Sequence, residues 1–112
     1  MRVVIVGAGE VGFNTALMLS REEHDVVLIE QDEALVERAT EQLDALMIRG
    51  NGASPRLLAE AEVKRSDLLI ATTNSDEVNI IACLVAKGQG VPRTVARLHN
   101  VDYYDPREPL AQ

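Results

Sequence analysis

Five short apolar runs punctuate the chain, and what lies between them has the look of helix. The runs are "VVIV" at 3–6, "DVVLIE" at 25–30, "ALMIR" at 45–49, "DLLIAT" at 67–72 and "RTVARL" at 93–98. Runs of this length, apolar at consecutive positions, read as strands buried on both faces. The first intervening helix covers 10–22, with Val11, Ala16 and Leu19 among its apolar positions. The second opens at Asp32, a good N-cap, and places Leu35, Val36, Ala39 and Leu43 on one face. A short third begins with Ser54 as cap and Pro55 in the first turn, and a fourth runs from Ser75 to about Lys87. Such alternation requires a parallel sheet covered on both faces. With right-handed crossovers, the fold class is α/β and doubly wound, with expected strand order 3-2-1-4-5.

The first strand runs directly into "GAGEVG", so Gly7, Gly9 and Gly12 carry the G-x-G-x-x-G spacing between a strand and a helix. That context is the one a Rossmann-like phosphate cradle requires. Gly7 permits the tight turn, Gly9 removes a side chain that would block a pyrophosphate, and Gly12 lets the helix pack closely. Ala8, Glu10 and Val11 complete the loop and first turn. Free N–H groups there face the phosphates. Glu30 ends the second strand, where a carboxylate accepts hydrogen bonds from ribose hydroxyls and repels a 2′-phosphate. The alternative for Glu30 is a plain surface acid. A ribose ligand of this kind favours NAD(H) over NADP but leaves ATP and ADP equally open.

Ligands of parallel sheets bind outside the C-terminal strand ends. "GNGAS" at 50–54 lies at one such end, and Asn51 there either meets an adenosine edge or shapes the turn before Ser54. "TTNSDEVN" at 72–79 follows strand four. Thr72, Thr73 and Asn74 offer hydroxyl and amide groups to a ligand, and Asn74 or Ser75 is the candidate helix cap. Asp76 and Glu77 suit the first turn through the helix dipole. Asn79, one turn in, faces either the pocket or another subunit. Arg97 ends strand five and either forks onto phosphate or pairs with Asp76 or Glu77. His24 sits at the opposite sheet edge as a surface turn residue. His99 has no partner in a recognisable motif; Asp102 or Glu108 would approach it only through an arrangement that the sequence does not establish.

With 112 residues there is room for one compact domain, 1–112, and not for a separate catalytic one. The last stretch, "NVDYYDPREPLAQ", opens as a helix or turn and is broken by Pro106 and Pro109. A fold of this kind often adds a sixth strand, so the chain is expected to be truncated before it. Aromatics make up only 3% of residues, so Val, Leu, Ile and Ala must build the core. A net charge of -7 without a Lys/Arg run argues against nucleic-acid binding. The single Cys83 excludes an internal disulfide and a cysteine zinc cluster, and is expected to be buried. No segment reads as a signal peptide or a membrane span, so the chain is expected to be cytoplasmic.

Together "VVIVGAGEVG", "LIEQD", "IRGNGAS", "LLIATTNSDEVNIIACLVAK" and "TVARLHNVDYYD" resemble the N-terminal nucleotide-binding domain of Trk potassium-uptake regulators, within the RCK or KTN (TrkA-N) domains. The resemblance extends through about residue 105. It implies a non-enzymatic cytosolic module that binds NAD or NADH, or alternatively ATP or ADP. It also implies assembly as a homodimer or higher ring beneath a membrane potassium transporter or channel subunit. Carried over residue by residue, Gly7, Gly9 and Gly12 contact phosphates, Glu30 holds the ribose and Asn51 flanks the adenine. Thr73, Asp76, Glu77 and Asn79 line the crevice or a subunit contact, and Arg97 approaches phosphate. Asn51 departs from the aspartate often found there. The competing readings are a cofactor-binding fragment of an NAD-dependent oxidoreductase and a non-binding scaffold; the first needs a substrate domain and a proton donor.

Overall fold

The computed structural model describes residues 1–103. Its element order is β1 (Arg2–Val6), α1 (Glu10–Arg21), β2 (Asp25–Glu30), α2 (Glu33–Gln42), β3 (Leu46–Arg49), α3 (Pro55–Glu60), β4 (Leu68–Ala71), α4 (Asp76–Gly88) and β5 (Arg93–Ala96). Single 3₁₀ turns follow α3 at Val63–Arg65 and β5 at Val101–Tyr103. The five strands are parallel and ordered β3-β2-β1-β4-β5, as expected from the alternation. The residues after Tyr103, including Pro106, Glu108 and Pro109, lie outside the described region.

Side chains alternate across a strand, so each strand serves two cores. Val3, Ile5 and Leu28 face α1 and α2, packing on Phe13, Ala16 and Ala39. Val4, Val6, Val27, Ile29 and Leu69 face α3 and α4, packing on Leu58, Ala82, Cys83 and Ala86. The central strands are almost wholly excluded from water, with Val3, Val4, Ile5, Leu28 and Ile29 all at 0% exposure. Burial of each such side chain contributes about 1.5–3 kcal/mol, which is how a core with one phenylalanine holds together. That phenylalanine, Phe13, is covered from outside by the Arg38 guanidinium, 3.9 Å from its ring centre.

Helix starts follow the expected chemistry at three of the four helices. Asp32 Oδ1 accepts from the Ala34 and Leu35 amides, Ser54 Oγ from Leu57, and Ser75 Oγ from Val78. Ser75, rather than Asn74, is therefore the α4 cap. Helix α1 differs: its N-cap is Gly9, and no side chain caps it. The orphan N–H groups of its first turn are left for another partner.

The strand order fixes where a crevice opens. β1 lies between β2 and β4, and the helices that follow β1 and β4 depart to opposite faces. The loops after β1 and β4 therefore diverge at the C-terminal edge of the sheet.

Candidate functional site

A cavity of about 450 Å³ occupies that divergence. Of the expected ligand residues, Gly7, Gly9, Glu30, Asn51, Thr72, Thr73 and Asn74 line it. Gln31, Asp32, Leu35, Gly50, Gly52, Ser75 and Val78 line it too, together with Val6 and Ile29. None of these was among the expected ligand residues, although the sequence already marks Asp32 and Ser75 as helix caps and Leu35 as part of an apolar helix face. Their signal was positional: they lie at or next to a strand end, stand one to four residues beyond one, or sit at the cap or first turn of α2 and α4.

The three motif glycines have three different causes. Gly7 has φ +105°, in the region that L side chains rarely adopt. A Cβ on Gly12 would stand 1.8 Å from the Gly7 carbonyl oxygen, so the helix sits too close to the loop for any side chain. Gly9 is different again. Its φ is -67°, open to every residue, and a Cβ there would meet nothing within 4 Å. Neither backbone nor packing asks for glycine at position 9; the space in front of it belongs to the cavity.

Glu30 stands at the end of β2 and binds three backbone amides. Oε1 accepts from Ala8 at 2.7 Å, and Oε2 accepts from Gln31 and Asp32, both at 2.9 Å. It is thus more than a surface acid at a strand end. It joins the glycine loop to the start of α2 and places a carboxylate in the cavity wall. Two carboxylate oxygens offer about four lone-pair sites, so this one retains capacity for a ligand donor.

Asn51 lines the cavity and also shapes the turn before Ser54, its Oδ1 accepting from the Ala53 amide at 2.9 Å. Thr72 is 6% exposed, and its hydroxyl lies 3.2 Å from the Val6 carbonyl and 3.3 Å from that of Gly7. It therefore clamps the β1 loop to β4 as well as lining the cavity. Ala8 acts through its amide on Glu30, while Glu10 and Val11 project outward from the first turn of α1.

The remaining expected residues gather beside the cavity and not in its wall. Asp76 is 7% exposed and receives the His99 amide at 2.9 Å, the Asn100 amide at 2.7 Å and His99 Nδ1 at 2.9 Å. The His99 amide is the largest cause holding the Asp76 carboxyl below its ordinary 3.8; the imidazole and the Asn100 amide add to it against the opposing cost of burial. His99 thus has a partner that the sequence did not indicate, since Asp76 lies 23 residues away. Glu77 Oε2 accepts from the Tyr103 hydroxyl at 2.7 Å, which raises the Tyr103 pKa. Asn79 is wholly buried and bonded to Thr73 and to the Arg97 carbonyl. The Arg97 side chain is exposed, and its amide donates to Ala71.

At the opposite edge of the sheet, His24 Nδ1 lies 3.3 Å from the Met1 amine. Cys83 is buried, and burial raises its thiol pKa. Among the described residues, no group of three or more His, Cys, Asp or Glu side chains is placed to hold a metal. No helix among them is long and apolar enough to cross a membrane.

A doubly wound sheet, a glycine turn into an uncapped helix and a carboxylate at the end of β2 define a Rossmann-like domain of the nucleotide-binding type. The chain belongs to the TrkA-N domain family, which matches residues 3–110. It is 41% identical over 103 residues to a Trk system potassium uptake protein TrkA homolog of Methanothermobacter thermautotrophicus, covering 92% of this chain and 48% of the relative. It is 44% identical over 105 residues to the Archaeoglobus fulgidus homolog, covering 94% of this chain and 24% of the relative. The chain thus spans about half the length of the first relative and about a quarter of the second. Family membership places it among non-catalytic regulatory modules.

Solved structures share the fold at lower identity. Shewanella denitrificans Kef CTD in AMP-bound form superposes with TM-score 0.75 at 20% identity, covering 93% of this chain and 63% of that one. The GsuK channel bound to NAD gives 0.72 at 20%, covering 82% and 17%. The TrkA-N domain of the inner membrane protein ybaL from Escherichia coli gives 0.64 at 20%, covering 85% and 86%.

Proposed function

We propose that this domain binds an adenine nucleotide, NAD(H) or alternatively ATP or ADP, and uses its occupancy to regulate potassium transport through a membrane partner. The observation that carries the binding half is Gly9. It lacks a side chain where the fold tolerates one, and it stands at an uncapped helix start inside the cavity. The dipole and free N–H groups of α1 suit an anion at that point. Glu30 supports a ribose on the β2 side, and Asn51, Gln31 and Leu35 supply the walls of a base site. Thr73, Asn74 and Ser75 border the far end, where a distal phosphate or nucleoside would sit. The AMP and NAD carried by two structural neighbours support this class of ligand.

The potassium half draws on the relatives, which are named as potassium uptake proteins. In this reading the domain works on the cytoplasmic side of the membrane, as a homodimer or higher ring against a transporter or channel subunit. Regulation then requires that the nucleotide bind two assembly states with different affinity.

Titration calorimetry with NAD, NADH, ATP and ADP tests the binding half. At least one is expected to bind; no heat from any of the four at about millimolar concentration, the weak limit of specific binding, overturns it. Potassium flux through the partner-containing membrane, with and without the bound nucleotide, tests the rest.

A further inference from the structure

Asn79 makes contacts that neither a cavity wall nor a helix interior needs. It sits one turn into α4 at 0% exposure. Its Oδ1 accepts from the Thr73 amide at 2.9 Å and lies 2.6 Å from the Thr73 hydroxyl. Its Nδ2 donates to the Thr73 carbonyl at 3.0 Å and to the Arg97 carbonyl at 2.8 Å. A side-chain amide has two donor hydrogens and one oxygen with two lone pairs, and here all four are used. Thr73 lines the cavity, while Arg97 is the first residue after β5. One buried side chain therefore bolts the cavity wall to the segment leaving the sheet.

A second strut runs in parallel. Asp76 stands three residues before Asn79 on the same face of α4. It takes the amides of His99 and Asn100, the next turn of the same departing segment. The first turn of α4 thus grips 97–100 at three backbone points and grips Thr73 at two. A buried, saturated amide has no spare partner, so Thr73 cannot shift without breaking a bond or drawing Arg97 with it.

We propose that Asn79 is a positioning residue that makes the cavity wall at Thr73 and the exit segment Arg97–Asn100 move as one unit. A nucleotide seated against Thr73 then changes the order of the exit segment. The second statement rests on the nucleotide reading above; the first does not.

Residue-resolved amide hydrogen exchange tests both. The informative variant is Asn79→Asp, which keeps the acceptor half facing Thr73 and loses the donors facing the Thr73 and Arg97 carbonyls. Without nucleotide, the variant is expected to speed exchange of the His99 and Asn100 amides by about tenfold, a local opening of the exit segment. Lowering the pH restores a proton to the new carboxyl, which again donates; with each rate divided by the intrinsic rate at that pH, protection of these amides is expected to rise in the variant relative to wild type. Unchanged rates at His99 and Asn100 overturn the link.

With NADH or ADP at saturation for each protein, the wild type is expected to slow these two amides by about fivefold or more, and the variant by less than about twofold. A purely structural asparagine would shift liganded and unliganded rates together; equal ligand-induced slowing in both proteins overturns the relay. If no nucleotide binds, the proposed ligand fails, and the unliganded comparison still decides the link. If Asn79→Asp does not fold, Asp76→Asn loosens the other strut. It is expected to speed exchange at Thr73 as well as at His99, and an unaffected Thr73 amide overturns the proposal.

Discussion

The Glu30 carboxylate accepts the Ala8 amide at 2.7 Å, binding the end of β2 to the glycine loop after β1. Its other oxygen holds the amides of Gln31 and Asp32. One side chain therefore shapes the loop expected to meet phosphate and stands where a ribose is expected. Glu30→Ala is predicted to lower stability by about 1–2 kcal/mol, because its backbone partners can turn in part to water. The same variant is predicted to weaken nucleotide binding by about tenfold or more, the loss of one charged hydrogen-bond partner. Urea unfolding and calorimetry measure the two effects. Wild-type affinity in the variant removes Glu30 from the site. NADP is expected to bind about tenfold or more weakly than NAD, since its 2′-phosphate would confront this carboxylate.

Gly9 and Gly12 separate binding from folding. A methyl at Gly12 meets the Gly7 carbonyl oxygen at 1.8 Å, which no rotamer relieves. Gly12→Ala is predicted to cost about 1–3 kcal/mol or more, as overpacking does. At Gly9 the methyl meets nothing, and alanine narrows the unfolded ensemble. Gly9→Ala is therefore predicted to change stability by less than about 1 kcal/mol, because the narrower unfolded ensemble is opposed by alanine being a poorer N-cap for α1 than glycine. Its nucleotide affinity should still fall by about tenfold, since the methyl enters the space in front of the α1 amides. Thermal unfolding beside calorimetry reads this contrast. Undiminished affinity in Gly9→Ala removes the main support for a phosphate at α1.

What the sequence disclosed was what local pattern can carry. Continuous apolar runs at 3–6 and 25–30 identify strands buried on both faces, and their alternation with helices leads to the order β3-β2-β1-β4-β5. Asp32 and Ser54 were readable as caps because a cap acts on residues two or three positions away. The contacts of Asp76 and Asn79 were not readable, because their partners at 97–100 are 18 to 24 residues distant. An acid in a first helical turn suggests only the dipole; that it would receive a departing strand end depends on β5 lying beside β4. The same distance explains why the sequence does not point to Asp76 as the partner of His99.

Cys83 offers an internal reporter of opening. It is 9% exposed on α4, packed in the core between that helix and the sheet, and burial raises its thiol pKa. Only the thiolate attacks an alkylating reagent, so both exclusion and the raised pKa slow the reaction. In the folded protein, alkylation is predicted to be about 100-fold slower or more than in urea at the same pH. Saturating nucleotide should slow it further, because a ligand that binds only the folded state suppresses opening. Mass spectrometry of timed aliquots gives the rates. Equal rates in buffer and urea would place the thiol outside the core.

Asp76 should govern part of the acid limb of stability. Its folded-state pKa is lowered below the ordinary 3.8, first by the His99 amide and then by the imidazole and the Asn100 amide, with burial opposing. A lowered carboxyl pKa means that the unfolded chain takes up its proton first as the pH falls. The stabilisation from Asp76 is therefore fully present above the unfolded value near 3.8 and is lost as pH falls through the lower folded value. Asp76→Asn is predicted to be less stable than wild type at neutral pH, and its Tm should fall less steeply between about pH 4.5 and pH 2.5. His99→Ala removes the ring but keeps the backbone amide, the largest contribution, so its acid limb should stay close to that of wild type. Parallel Tm curves for wild type and Asp76→Asn across this window would show that the carboxylate does not gain from these amides. A His99→Ala curve that follows Asp76→Asn would move the main effect from the backbone amide to the imidazole.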